Sequence, residues 1–258
     1  MKGPSKLLEA IEEGTTRGER VAVVRVLTGE SAKNTTLTVC NGKLFPALED
    51  RKLAERILAA VESLSARGGV ADLVDALDEK GSRVPLVIEI IKPKLELLIF
   101  GAGHVGQAVA LMGALTGYDV TVVDDREEFA SRKRLRDPRI GLLVSDYASA
   151  AGKLTISSST VVVIVTRGHQ YDELCLKNVV RSNAAYLGMI GSRRRVLSVF
   201  KKLVGEGFSE ADLQRVHAPI GLRIGARSPQ EIAVAILAEI IDHVNSPQHQ
   251  PRGERNGI

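Results

Sequence analysis

The sequence predicts an α/β fold: a C-terminal parallel sheet with helices on both faces, preceded by a smaller α+β unit. Three observations predict it. Residues 95–125 run as buried strand, glycine turn, apolar helix, second strand and paired acids. The later stretch Thr160–Thr166 is a continuous run of Val and Ile, which a sheet covered on both faces requires. Helical patterns alternate with such strands as far as Val244, as successive βα units do.

The glycine turn carries most of this reading. Leu97–Phe100 feeds Gly101-x-Gly103-x-x-Gly106, then an apolar helix over Ala108–Leu115, then the strand Asp119-Val-Thr-Val-Val, which ends on Asp124-Asp125. That order makes the sheet Rossmann-like, since it is the order of a dinucleotide-binding βαβ unit. Gly101 makes the turn, Gly103 lets a diphosphate approach the backbone, and Gly106 lets the helix pack on the strand. The helix N-terminus offers N–H groups to an anion. Asp124 stands at the roughly 20-residue spacing of a carboxylate that takes a ribose diol. The pattern specifies the fold more strongly than it specifies a bound nucleotide.

The N-terminal unit spans residues 1–92. Residues 5–13 are expected to form a short amphipathic helix capped by Ser5. Arg20–Leu27 and Thr35–Cys40 read as strands, and Asn41-Gly42 signals a tight turn. Leu48–Ala66 has helical periodicity, stopped by Arg67-Gly-Gly69. Pro85–Ile91 is a strand, and Lys92-Pro93-Lys94 a brief linker. The Rossmann-like domain spans 95–245. After its first βαβ come strands at Ile140–Val144 and Thr160–Thr166, then a helix from Tyr171 to Arg181. A strand over Ala185–Ile190, a helix over Arg193–Val204, a short strand at His217–Ile220 and a helix over Pro229–Val244 complete it. The polar tail 246–258 is expected to be disordered.

Composition narrows the function. Charged residues are 26% and hydrophobic ones 44% of 258 residues, ordinary for a globular protein. The net charge is +4, a mild surplus that suits an anionic small ligand. Aromatics are 3% with no Trp, which argues against base-stacking platforms and so against nucleic acid. Two distant cysteines, Cys40 and Cys175, exclude a disulfide framework and a CxxC zinc site. No stretch is long and apolar enough for a membrane span, and no signal peptide opens the chain, so a cytoplasmic location is expected.

Candidate binding residues gather at expected strand ends. The loop Gly101, Gly103, His104, Gly106 would hold an anionic group, or use its glycines only for turn and packing. His104 either touches that group or faces solvent. Asp124 would accept from a ribose or other polyol, while Arg126 could instead meet a second phosphate. Thr166-Arg167-Gly168-His169 ends a strand, where open parallel sheets bind ligands; a plain surface turn is the alternative. Asp172 either orients His169 or caps the next helix. Gly191-Ser192-Arg193-Arg194 combines a helix start with guanidiniums, an anion-holding geometry, although Ser192 can also act as N-cap alone. His217 and Gly221 lie in a compact glycine-rich segment, His217 being a polar contact or a structural imidazole. No nucleophile–base elbow and no acid pair with catalytic spacing is present, so no catalytic residue and no metal ligand is assigned.

Four blocks resemble one family in order: Phe100-Gly-Ala-Gly-His-Val-Gly106, Thr166-Arg-Gly-His169, Gly188-Met-Ile-Gly-Ser-Arg-Arg194, and His217-Ala-Pro-Ile-Gly-Leu-Arg-Ile-Gly-Ala226 with Ser228-Pro-Gln-Glu-Ile-Ala233. They are similar to the xanthine dehydrogenase accessory (XdhC/CoxI) family, maturation factors of molybdenum hydroxylases. The resemblance implies a Rossmann-like domain that binds molybdopterin, the molybdenum cofactor, supports its sulfuration and delivers it to an apo-enzyme. It implies as partners a molybdenum hydroxylase apo-enzyme, a cysteine desulfurase and a second copy of the chain. It also implies that the 166–169 block lines the cofactor site. The family's Gly-Ser-x-Pro-Arg segment and its glycine-rich segment with a cysteine are not matched here; Gly29–Asn34 stands at the first position, and Cys40 lies in a strand instead. Two other readings stay open: an NAD(P)-dependent oxidoreductase with His169 as proton donor, and a nucleotide-gated regulatory domain.

Overall fold

A computed structural model describes residues 4–16, 19–27 and 35–245. The chain forms two compact units, one ending at Pro93 and one spanning Lys94–Asn245. The expectations for Gly29–Asn34 and for the tail from Ser246 lie outside the described residues.

The first unit is an antiparallel sheet with a helix on it. Its elements are α1 (Pro4–Thr16), β1 (Val21–Val26), β2 (Thr35–Cys40), β3 (Lys43–Phe45), α2 (Arg51–Ala66), β4 (Ala71–Leu77) and β5 (Arg83–Ile91), with strand order β3-β2-β1-β5-β4. Asn41 and Gly42, at φ 49° and 68°, make the turn between β2 and β3; two positive φ values suit the twist of a hairpin. Leu53, Ile57, Val61 and Leu64 recur at helical spacing and pack on Leu86, Ile88 and Ile90 of the sheet. The helix begins at Arg51 rather than Leu48 because the Asp50 carboxylate caps it, accepting from the Leu53 N–H at 2.8 Å. The helix α1 already includes Pro4, so Ser5 falls within its first turn and not at the position before it. Proline suits that opening position because no helical partner is needed there.

The second unit is a six-stranded, wholly parallel sheet. Its elements are β6 (Glu96–Phe100), α3 (His104–Leu115), β7 (Asp119–Asp124), β8 (Gly141–Val144), α4 (Tyr147–Lys153), β9 (Thr160–Ile164) and α5 (His169–Val179). Then follow β10 (Tyr186–Met189), α6 (Arg193–Gly205), α7 (Glu210–Gln214), β11 (Val216–His217) and α8 (Pro229–Asn245). The strand order is β11-β10-β9-β6-β7-β8. All five residues of β9 are buried. Val109, Ala110, Ala233 and Ile236, from α3 and α8, cover one face of the sheet. Tyr147, Leu176, Val179, Val199 and Leu203, from α4, α5 and α6, cover the other. Between β6 and β9 the direction of winding reverses. In open α/β sheets the crevice at such a switch point, beyond the carboxyl ends of the strands, is where ligands bind.

Candidate functional site

Three neighbouring strands, β6, β9 and β10, each end in a loop that starts a helix. At the first loop Gly101 has φ +112°, and a β-carbon there would lie 2.5 Å from the Val165 carbonyl oxygen. One on Gly106 would lie 1.8 Å from the Gly101 carbonyl oxygen. These two glycines are therefore fixed by packing. Gly103 differs: it is the N-cap of α3 at φ −67°, and a β-carbon on it would meet nothing within 4 Å. No side chain caps α3, so its N-terminus presents backbone N–H groups and positive partial charge toward open space. His104 opens the helix and is exposed. Gln107 holds the loop from behind, its Nε2 donating to the Ala102 carbonyl at 2.7 Å.

Asp124, expected to meet a ribose, is fully buried. Its carboxylate accepts from the Ala102 N–H at 2.7 Å and the Arg126 N–H at 3.1 Å. It also accepts from Arg126 Nε at 2.8 Å and Nη2 at 3.0 Å. Burial works to raise this carboxyl, but the Arg126 guanidinium and the two N–H donors outweigh it and leave it below the ordinary carboxylate range. Beside it, Asp125 Oδ2 accepts from Arg167 Nη2 at 2.9 Å. Because β7 and β9 flank β6, this ion pair joins the two loops across the end of β6. Arg167 also donates to Tyr171 Oη at 2.8 Å and lies over the Tyr171 ring.

The second loop leads into α5, whose N-cap is Gly168, again without a capping side chain. His169 is the first residue of α5, and its side chain lies outside the described residues. Asp172 is buried, and its carboxylate is engaged by the Thr166 hydroxyl and by Arg195 of α6. Gly168, not Asp172, is the N-cap of α5, and Asp172 lies in the first turn of that helix. At the third loop the Ser192 hydroxyl accepts from the Arg195 N–H at 3.2 Å, so Ser192 caps α6. Arg193 and Arg194 are exposed, while Arg195 turns inward to Asp172. Gly191 lies against the Arg195 side chain, where a β-carbon would come within 3.3 Å. A groove of about 580 Å³ runs beside Ser192, Arg194, Arg195, Ser198 and Lys202.

His217 and Gly221 are held elsewhere. His217 stacks on Tyr186, ring centroids 4.6 Å apart, and its Nδ1 lies 3.5 Å from Glu239 Oε1 of α8. Gly221, at φ +100°, donates its N–H to Glu239 Oε2 at 3.0 Å. Their contacts bind the 217–221 segment to α8 and β10 rather than to the glycine loop. Glu239 is the residue that organises this segment. Its helical position eight residues after Glu231 is visible in the sequence, but its partners come from a chain segment 18 residues away for Gly221 and 53 for Tyr186.

Sequence reasoning places candidate residues at 101–106, 124, 166–169, 191–193 and 217–221; hydrogen bonds and ion pairs tie the first four of these loops to one another, and the 217–221 segment is tied to Glu239 of α8. It does not foresee the inward role of Arg126, the Asp125–Arg167 bridge, the Asp172–Arg195 pair, or Tyr147. Tyr147 is buried near Asp124 and Asp125, and burial first, then these carboxylates, push its hydroxyl above the ordinary tyrosine range. The one local signal is Asp146 with Ser149, a cap spacing that starts α4.

The family model described as the XdhC Rossmann domain matches residues 97–240. Among curated relatives, the uncharacterised Escherichia coli protein YqeB is 31% identical over 80% of this chain and 38% of its own length. A Bacillus subtilis protein named as a probable xanthine dehydrogenase subunit is 29% identical over 60% of this chain and 45% of its own. The molybdenum cofactor insertion chaperone PaoD of Escherichia coli is 23% identical over 78% and 59%. The chain thus spans 38% to 59% of the length of these relatives. A crystal structure described as a xanthine dehydrogenase from Bacillus halodurans superposes with a TM-score of 0.70 over 96% of this chain and 70% of that one, at 20% identity; it shares the fold.

Proposed function

The chain belongs to the family defined by the XdhC Rossmann domain, and from that premise we propose that it is a maturation factor for a molybdenum hydroxylase of the xanthine dehydrogenase type. In this reading it binds the molybdenum cofactor and delivers it to the apo-enzyme. The observation that carries the reading is the convergence of three helix N-termini, at Gly103, Gly168 and Ser192, on adjacent strand ends. Two of the three have no capping side chain. Arg167 and Arg193 add cations beside them. Such a cleft is built to hold an anion through fixed N–H dipoles and guanidiniums. The phosphate of molybdopterin is an anion of that kind, and Gly103 leaves room for it at the backbone.

The names of two relatives support the cargo: one is a molybdenum cofactor insertion chaperone and one a probable xanthine dehydrogenase component. In the second unit Cys175 lies on the buried face of α5, where burial pushes its thiol up; in the first unit Cys40 donates to Glu19 Oε2. In this reading the grip is on the phosphate and the polar pterin edge, with Gly103, His104, Arg167, His169, Gly191, Ser192 and Arg193 lining it, and Gly101 and Gly106 shaping the turn behind them. Asp124 stands behind the loop, and His217 and Gly221 secure the far end of the sheet. A cytoplasmic setting, a desulfurase partner and a dimer belong to the same proposal. Among the described residues no helix is long and apolar enough to cross a membrane.

The test is equilibrium binding of molybdopterin released from a molybdenum enzyme. Arg193→Glu places a like charge beside the phosphate and is expected to weaken binding by about ten- to a hundredfold, the range of a charge-assisted hydrogen bond. Unchanged affinity would remove Arg193 from the site. No binding to the unaltered chain would remove the function.

A further inference from the structure

We infer that Arg126 is a specificity residue: by locking Asp124 inside the protein, it closes this crevice to dinucleotides that anchor their ribose on that acid. The inference concerns the crevice of the proposed function but rests on the lock itself. A nicotinamide dinucleotide in a Rossmann-like site gives its adenosine ribose hydroxyls to a carboxylate at the end of the second strand. Asp124 ends β7, the second strand of this sheet, and is the residue at that place.

A diol can bind a carboxylate only if the carboxylate has accessible acceptor sites. An ionised carboxylate offers about four. Here four donors reach Asp124: the N–H groups of Ala102 and Arg126, and Nε and Nη2 of Arg126. The side chain is 0% exposed, so no ligand atom touches it while Arg126 stays in place. Arg126 is itself fastened. Its guanidinium carbon lies 3.5 Å from the centre of the Phe129 ring, and its side chain is 22% exposed. The two-pronged fork commits Nε and one N–H of Nη2 to Asp124, so the guanidinium is aimed inward at the carboxylate and not outward at a ribose.

Asp124 has another task. Its bond from the Ala102 N–H, 22 residues away in sequence, braces the glycine turn from below. The acid that reads ribose in other sheets of this kind here shapes the anion cradle instead. The ligand class that remains is a phosphate carrier with no ribose diol at that position.

The experiment is a fluorescence titration of the full chain with NADH, run on the unaltered protein and on Arg126→Ala. The unaltered protein is expected to show no saturable binding up to about 1 mM. Arg126→Ala frees Asp124 and is expected to bind NADH at least tenfold more tightly than the parent. Should Arg126→Ala fail to fold, Arg126→Lys keeps the charge, loses the fork, and is expected to gain in the same direction. Saturable NADH binding by the unaltered chain would overturn the inference, as would a folded variant with no gain. The molybdopterin titration is a separate arm: its failure would sink the proposed cargo and leave the NADH result standing.

Discussion

Gly103 and Gly106 lie three residues apart and differ in what a methyl group would meet. On Gly106 it would collide with the Gly101 carbonyl; on Gly103 it would enter open space at an ordinary φ. Gly106→Ala is therefore expected to destabilise the fold by about 2–3 kcal/mol, the cost of overpacking a rigid site, measured by denaturant unfolding. Gly103→Ala is expected to leave the unfolding midpoint nearly unchanged while weakening molybdopterin binding at least tenfold, because the methyl group occupies the phosphate's approach. Equal effects of the two variants on stability would contradict this division. The glycine spacing is legible because each glycine answers a local constraint. The burial of Asp124 is not, because a carboxylate at a strand end looks the same in sequence whether it faces a ligand or an arginine two residues on.

Long elements with strong patterns are legible: β9 from its Val-Ile run, α2 and α8 from their helical spacing. Short or half-exposed ones are not. β4 is an edge strand with Asp72 and Asp75 interrupting its apolar residues, and only Ala76 is buried. α7 is five residues long, set by the capping box of Ser209 and Asp212. Between elements, the tie of most consequence is Asp172 with Arg195, which links α5 to α6 and, through Thr166, to the loop at the end of β9. Removing one partner of a buried pair strands the other charge. Asp172→Ala is expected to cost about 3–5 kcal/mol in unfolding free energy for that reason, and thermal melts with the double variant Asp172→Ala/Arg195→Met should recover much of the loss. No recovery would mean that the pair matters for something other than charge balance.

For the molecule as a whole, the titrating groups set limits at both ends of the pH scale. Asp124 is held below its ordinary range when folded, so its contribution is present above about pH 4 and is lost as pH falls through the folded value. Tyr147 and Tyr186 are raised, first of all by burial; their contribution is present below about pH 10 and fades as pH rises beyond it. The denaturant midpoint is thus expected to be flat between about pH 5 and 9 and to fall on either side. A midpoint unchanged at pH 3 would remove the Asp124–Arg126 lock from the stability of the fold. At this scale the sequence conveys the α/β alternation and the order of the loops at the strand ends. It does not convey which strands lie side by side, because partners such as Glu96 and Thr160 are distant along the chain.

That distance bears on how the protein is made. β6 sits between β7 and β9, and its second edge stays open until Thr160, 64 residues after Glu96, has been synthesised. Parallel pairings of such long range form slowly, since a large loop must close before any bond rewards it. During translation β6 and β7 would stand as an incomplete ribbon with an apolar rim. The glycine turn therefore gains its support only late, when the end of β9 arrives to press against Gly101, and the third helix start, at Ser192, follows later still.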